Sequence, residues 1–411
     1  MAIELLAPAG GMAQLKTALR FGADAIYGGM SRFGLRAYAG NFTDETIPLA
    51  TQMVHDAGKK FYVTLNSLPD DKAMEGFLQV ATCALEANVD AAIVSDVGAM
   101  ALLHKHLPEL PIHVSTQANV LNSEMATFLH ETLGVERVVL SRELDLESIR
   151  RFRQNTPPAL EIEAFVHGAM CMSHSGRCLL SSAIMGRSGN LGACAQPCRW
   201  KYHVVEEKRP GEYYPVMEDE DGTWIFSAYD LCMLEYLPEM INAGITSLKI
   251  EGRMKTAYYV ACVVSTYRHA LQILMSQGEE AYRKALPDIM REVKKSSHRK
   301  SNTGFYLGKP LIAGGADGFI QTMQYVGDIV QEATEETAVK VEVKNKIAVG
   351  DDLELLTPEG SYAFTVTEMK RCDTGEAVEK ATVAGTEVYI PMAHNAQNGD
   401  LLRKAIVQSE S

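Results

Sequence analysis

The sequence has no run of about 18 apolar residues, so it offers no membrane-spanning helix. Its start, MAIELLAPAG, carries Glu4 and lacks both a basic segment and a long apolar one, so no secretory signal is expected there. No Gly-x-Gly-x-x-Gly follows the first apolar run, so the dinucleotide fingerprint is missing. His130-Glu131 begins a zinc-protease motif, but Gly134 stands where the second histidine is required. No Gly-x-Ser-x-Gly elbow occurs either. The charge is short of cations: a net charge of -13 argues against indiscriminate coating of nucleic acid, though not against a local basic site. There is no low-complexity tract, and the composition, 46% apolar and 22% charged, is that of a globular protein. At 411 residues, two or three domains are expected.

What is there is a regular alternation. Strand-like runs occur at 3–8, 24–29, 60–66, 91–96, 112–117, 137–142, 161–168 and 247–252, separated by stretches with helix-period apolar spacing such as GMAQLKTALRFG. Gly22, Gly58, Gly134 and Gly244 are placed as helix stops. Eight units over about 250 residues predict a TIM-like (β/α)8 barrel, with a doubly wound sheet as the rival. The barrel is expected over 1–278, with an insertion at about 169–223 where the alternation stops. Residues 279–302 read as a helical basic linker ending in KKSSHRK, and 303–411 as a small all-β domain, a barrel, from six short runs between Gly, Asn and Asp turns.

The insertion holds Cys171, Cys178, Cys194 and Cys198, half of the eight cysteines, spaced C-x6-C-x15-C-x3-C in a Gly/Ser-rich stretch. In an intracellular, reducing setting such a group points to metal before disulfides. Cys83, Cys232 and Cys262 lie on apolar faces and read as buried thiols. Structural zinc sites favour short paired knuckles, and only Cys194/Cys198 approaches one. A four-thiolate iron–sulfur cluster accepts wider spacing. Residues 164–205 contain no Asp or Glu but do contain Arg177, Arg187, Arg199 and Lys201, together with His167, His174 and His203. Cationic neighbours suit an anionic cluster or a phosphate-bearing substrate; a solvated basic loop is the plainer account of Arg187 and Lys201.

The segment EAFVHGAMCMSHSGRCLLSS (163–182) resembles the signature of the collagenase-like peptidase family U32: Glu163, Phe165, Gly168, Ala169, Met170, Cys171, Gly176, Cys178 and Ser181 all match. LLAPAG, HVSTQANV, GNLGACAQPCRWKY, RPGEYY, SLKIEGRMKTAYYV and TGFYLG extend the resemblance over essentially the whole chain. Within the family it is most similar to the tRNA wobble-uridine hydroxylation proteins. That resemblance implies a cytoplasmic enzyme that forms 5-hydroxyuridine in tRNA without oxygen, with a 4Fe–4S cluster and prephenate as hydroxyl source. Relatives hydroxylate ribosomal RNA or a quinone ring, and a homo- or hetero-oligomer with a paralogue is open. Some relatives use a cysteine near Cys232 as a ligand; this chain keeps both Cys194 and Cys198. Peptidase activity is the rival reading, and a non-catalytic RNA-binding protein with a structural cluster is the third.

Barrel enzymes act at the C-terminal ends of their strands. There the sequence places Asn66, Asp96, Gln117, Asn119, Arg142, Glu143, His167, Glu251 and Arg253. His167, which the signature sets beside the cluster, with Glu251 and Arg253, are the catalytic candidates. Asn66, Gln117, Asn119, Arg142, Arg177 and Arg199 are the substrate-binding ones, the arginines suiting carboxylate or phosphate. An internal salt-bridge ring, Lys249 or Arg253 with Glu163 or Glu251, is the structural alternative. The basic run Lys294 to Lys300 is a candidate RNA contact or a solvated face.

Overall fold

The computed structural model describes residues 3–36, 39–171, 173–174, 177–200, 203–204, 214–215, 229–308, 320–331, 338–392 and 395–406. Gly176, Lys201 and the RPGEY stretch at 209–213 lie outside them, as do the side chains of Arg199 and His203.

Two compact units emerge. The first comprises Met1–Leu15, Ala23–Lys255 and Arg299–Gly318, and the second Lys16–Gly22, Thr256–His298 and Phe319–Ser411. In the first, eight parallel strands close on themselves: β1 (Glu4–Ala9), β2 (Ala25–Gly29), β3 (Lys60–Leu65), β4 (Ala91–Val94), β5 (Ile112–Val114), β6 (Arg137–Val139), β7 (Glu161–Ala169) and β8 (Ser247–Ile250). β8 pairs with both β1 and β7, which shuts the ring. Each of the eight expected runs supplies one strand, so the TIM-like barrel is the fold. The strands are apolar on both faces because helices cover the outside and side chains fill the inside, as parallel sheets require. Gly22, Gly58, Gly134 and Gly244 all have positive φ, ending helices where the sequence places stops.

The insertion follows β7, and Asp230–Cys232 returns antiparallel to it, Cys232 opposite His167. Gly168 matters here. With φ of +106° and the Glu251 carbonyl against it, it leaves no room for a side chain.

The second unit carries seven strands in one antiparallel sheet around Val326, Val341, Leu355, Val388 and Leu402. Among the described residues no pairing joins its two end strands, so the expected small barrel is seen as an all-β sheet. Its helix, Ala257–Val293, runs through the stretch expected to be a linker and breaks only at Gly278. Arg403, wholly buried, pairs with Glu292 at 2.5 Å and Glu354 at 2.8 Å.

Candidate functional site

A cavity opens at the C-terminal ends of the barrel strands. Asn66, Gln117, Arg142, Glu251 and Arg253, placed there from sequence, all line it. Tyr27, Arg36, Thr64, Ser115, Phe165 and Lys249 join them.

The charges are uneven. Among the described lining residues, four cations (Arg36, Arg142, Lys249 and Arg253) face a single carboxylate, Glu251. Arg36 Nη2 pairs with Glu251 Oε1 at 3.0 Å. The Tyr27 hydroxyl lies 3.3 Å from Glu251 Oε2 and donates to the Ile250 carbonyl at 2.9 Å. Burial and then Glu251 push the Tyr27 phenol well above its usual range. Burial raises the Glu251 carboxyl, yet Arg36, Arg142 and Arg253 outweigh it and hold that carboxyl below the ordinary value. Lys249 Nζ sits 2.5 Å from Glu163, which is wholly buried.

That leaves Arg142 and Arg253 without an ion pair among the described residues. Arg253 is 3% exposed and donates to Thr64 Oγ1 and, at 3.0 Å, to the Leu35 carbonyl. Burial, then the Arg36 guanidinium, bring it down to about 10. Arg142 lies 4.0 Å over the Phe165 ring and donates to the Ala169 carbonyl at 3.0 Å. The Nε–H of each is buried and has no partner. Buried donors are rarely left so. Two uncompensated guanidinium groups in one cavity would suit a ligand with two negative charges.

Arg36 was not legible in advance. It sits in the loop after β2 with φ of +140°, a region that costs a non-glycine residue roughly 1–3 kcal/mol and clusters at functional sites. Glu251 above all raises its pKa, and the Cys194 sulfur acts on it too. Gly29 explains how Arg253 reaches this depth: a side chain there would meet Nη1 of Arg253 at 2.6 Å.

The cysteine segment lies at this mouth. The Asn190 carbonyl accepts from Leu68 N at 3.1 Å, and Gly192 packs on the Gly34 carbonyl, both in loops after barrel strands. His174 Nδ1 stands 3.5 Å from Glu143. All eight thiols are free. Cys194 Sγ accepts the Gln196 N–H at 3.3 Å, a kind of hydrogen bond that tunes thiolate clusters. Among the described residues, however, no three His, Cys, Asp or Glu side chains form a metal-holding group. The donor chemistry of four free thiols fits a four-thiolate cluster; their side chains do not stand as a formed cage.

Other expected residues fall elsewhere. His167 is buried within β7 and does not line the cavity. Asn119 caps a short turn and accepts from Ser141 Oγ at 2.8 Å. Asp96 caps the helix Val97–His106. Arg177 is exposed on the cysteine segment, and His130 bonds the Val135 carbonyl at the end of its own helix. Of the basic run, Lys295 is engaged by Glu292 and Glu354.

Residues 10–314 match peptidase family U32, and 321–403 match the C-terminal domain of that family. The chain belongs to peptidase family U32. Within it, tRNA hydroxylation protein P of Escherichia coli (strain K12) is 35% identical, over 96% of this chain and 94% of that one. A 23S rRNA 5-hydroxycytidine synthase from the same strain is 32% identical, over 91% of this chain and 55% of its own length. A collagenase of Porphyromonas gingivalis is 30% identical, over 97% of both chains. U32 relatives thus carry the names of RNA hydroxylation and of proteolysis. No helix among the described residues is long and apolar enough to cross a membrane.

Proposed function

We propose that this U32 protein is an RNA-hydroxylating enzyme, forming 5-hydroxyuridine at the wobble position of tRNA without molecular oxygen, with prephenate as co-substrate. Two arginines in the barrel cavity, Arg142 and Arg253, each with a buried Nε–H that has no acceptor and with no ion pair among the described residues, carry this reading. Prephenate bears two carboxylates, and arginine holds carboxylates bidentately. RNA hydroxylation is supported by similarity over nearly the full length to tRNA hydroxylation protein P.

In this reading Arg142 and Arg253 each take a carboxylate. Asn66, fixed by Ser115 and the Leu35 N–H, and Gln117 meet the remaining polar edges. Glu251, held ionised by three arginines, is available to accept a proton; Arg36 donates to its Oε1 and the Tyr27 hydroxyl lies beside its Oε2. Cys171, Cys178, Cys194 and Cys198 would hold a 4Fe–4S cluster, one thiolate per iron, which would supply electron transfer when present. The surroundings of that segment, acid-free from 164 to 205, suit an anionic group.

Proteolysis is the second reading, since a relative bears the name collagenase. A nucleophilic serine or cysteine needs an adjacent base. Among the described lining residues Ser115 is present without a histidine, and its hydroxyl is taken by Asn66 and the Gln117 N–H.

Mass spectrometry of tRNA nucleosides from a deletion strain tests the proposal. Loss of 5-hydroxyuridine derivatives, restored by the wild-type gene and not by Arg142→Ala, is expected; unchanged nucleosides in the deletion strain would overturn it. Iron and sulfide analysis of anaerobically purified protein tests the cluster, with loss expected in Cys194→Ala.

A further inference from the structure

Lys249 is a buried amine that the reading above leaves unused. It is 3% exposed, lies on β8 beside Phe165 of β7, and reaches the cavity. Its ammonium is 4.4 Å from the Tyr27 ring centroid and 5.6 Å from that of Phe165, so two aromatic faces flank it. Its carboxylate partner, Glu163, is 2.5 Å away, fully buried, and not among the cavity-lining residues. An amine thus faces the cavity and a proton acceptor stands behind it.

We propose that Lys249 forms a reversible imine with the ketone of a 2-oxo acid bound in this cavity. The inference rests on the reading that the cavity holds a small carboxylate, since prephenate carries a 2-oxo acid side chain, and it deepens that reading by giving the ketone a covalent partner. Glu163 takes a proton from the ammonium. The freed nitrogen lone pair adds to the ketone carbon, and the carbonyl π electrons pass to oxygen, which gathers two protons, one returned by Glu163 and one shed by the nitrogen that has just added. Water leaves and a protonated imine remains. One water is released, total charge is unchanged, and nothing is oxidised or reduced. Lysine nucleophiles are activated by desolvation and by neighbouring cations, and burial lowers the Lys249 ammonium more than Glu163 raises it. Arg142 or Arg253 would hold the adjoining carboxylate, orienting the ketone toward the amine.

The plain alternative is that Lys249 only neutralises Glu163. Arg137, however, already donates to Glu163 at 3.0 Å, so the carboxylate has another cation and the lysine is not needed for that alone.

The test is borohydride trapping on the full-length wild-type protein, with pyruvate and phenylpyruvate as probes and peptide mapping by mass spectrometry. A reduced adduct is expected on Lys249, at least tenfold above any other lysine, and absent from that site in Lys249→Arg. Binding of each probe to untreated protein is measured in parallel by calorimetry. Probe binding with no adduct on Lys249 overturns the imine and leaves the carboxylate site standing. No binding of either probe overturns both, and adducts spread evenly over exposed lysines overturn the imine. Mapping on wild type decides the matter even if the arginine variant does not fold.

Discussion

The two ends of one barrel use the same residue types in opposite ways. At the N-terminal end Arg137 opens β6 and meets carboxylates from the starts of two strands: Glu4 at 2.6 Å and Glu161 at 2.5 Å, with Glu163 at 3.0 Å just above. All of its donor nitrogens are used. Burial opposes its charge, but Glu163 and Glu4 outweigh burial and hold its pKa above the ordinary range. At the C-terminal end Arg142 and Arg253 keep a buried Nε–H with no acceptor and have no carboxylate paired to them among the described residues. A charge network complete in itself braces the fold, whereas an incomplete one has affinity to spare. Conserving strength at one end of such barrels and chemistry at the other is the usual division.

Breaking the complete end has the largest expected effect. Arg137→Met leaves Glu163, with no exposure at all, facing one cation instead of two, and leaves Glu4 with only the Tyr62 and Ser247 hydroxyls. Removing one member of a buried ion network costs about 3–5 kcal/mol. Thermal unfolding should shift down accordingly, while the protein that remains folded keeps its ligand affinity. A variant as stable as wild type would show that the N-terminal network is dispensable.

Arg142→Ala should do the reverse. It removes a charge with no ion pair, so the melting temperature should move little. A charged hydrogen bond contributes roughly 1.5–3 kcal/mol, which corresponds to a loss of about 10- to 100-fold in affinity for a dicarboxylate, read by calorimetry. Equal losses of stability and affinity would erase the distinction between the two ends.

How much of this contrast was legible follows from what each pattern encodes. The eight strands, the positive-φ glycines that end helices and the all-β region announced themselves, because apolar period and turn residues act locally. Asn66, Gln117, Arg142, Glu251 and Arg253 could be placed because polar residues just past an apolar run mark strand ends. Lys249 and Tyr27 could not be assigned to the cavity, since strands buried on both faces lack the alternation that would say which side chains point inward. Lys249 with Glu163 was foreseen only as a salt bridge, which the structure contains. Arg36 escaped because its position depends on a partner 215 residues away and on a backbone angle that sequence does not signal. His167, which the signature sets beside the cysteines, is buried within β7 and is not among the residues that line the cavity.

The smallest effect is expected at Glu251, the one carboxylate among the described residues that line the cavity, and its sign separates the two ends most sharply. Its folded pKa lies below the ordinary value of 4.5 because Arg36, Arg142 and Arg253 outweigh burial. A carboxyl depressed in the folded state contributes stability that is present above the unfolded value and is lost as pH falls through the folded one. Glu251→Gln removes that contribution, so the fall of melting temperature below about pH 4.5 should become shallower. At neutral pH the same change leaves the three arginines less neutralised, so dicarboxylate affinity should rise a few-fold, by about 1 kcal/mol or less for one partly screened charge. Removing a carboxylate at the N-terminal end, as in Glu4→Gln, should lower stability without touching affinity. A Glu251→Gln protein with weakened ligand binding would mean that Glu251 holds the ligand itself rather than limiting the charge that attracts it.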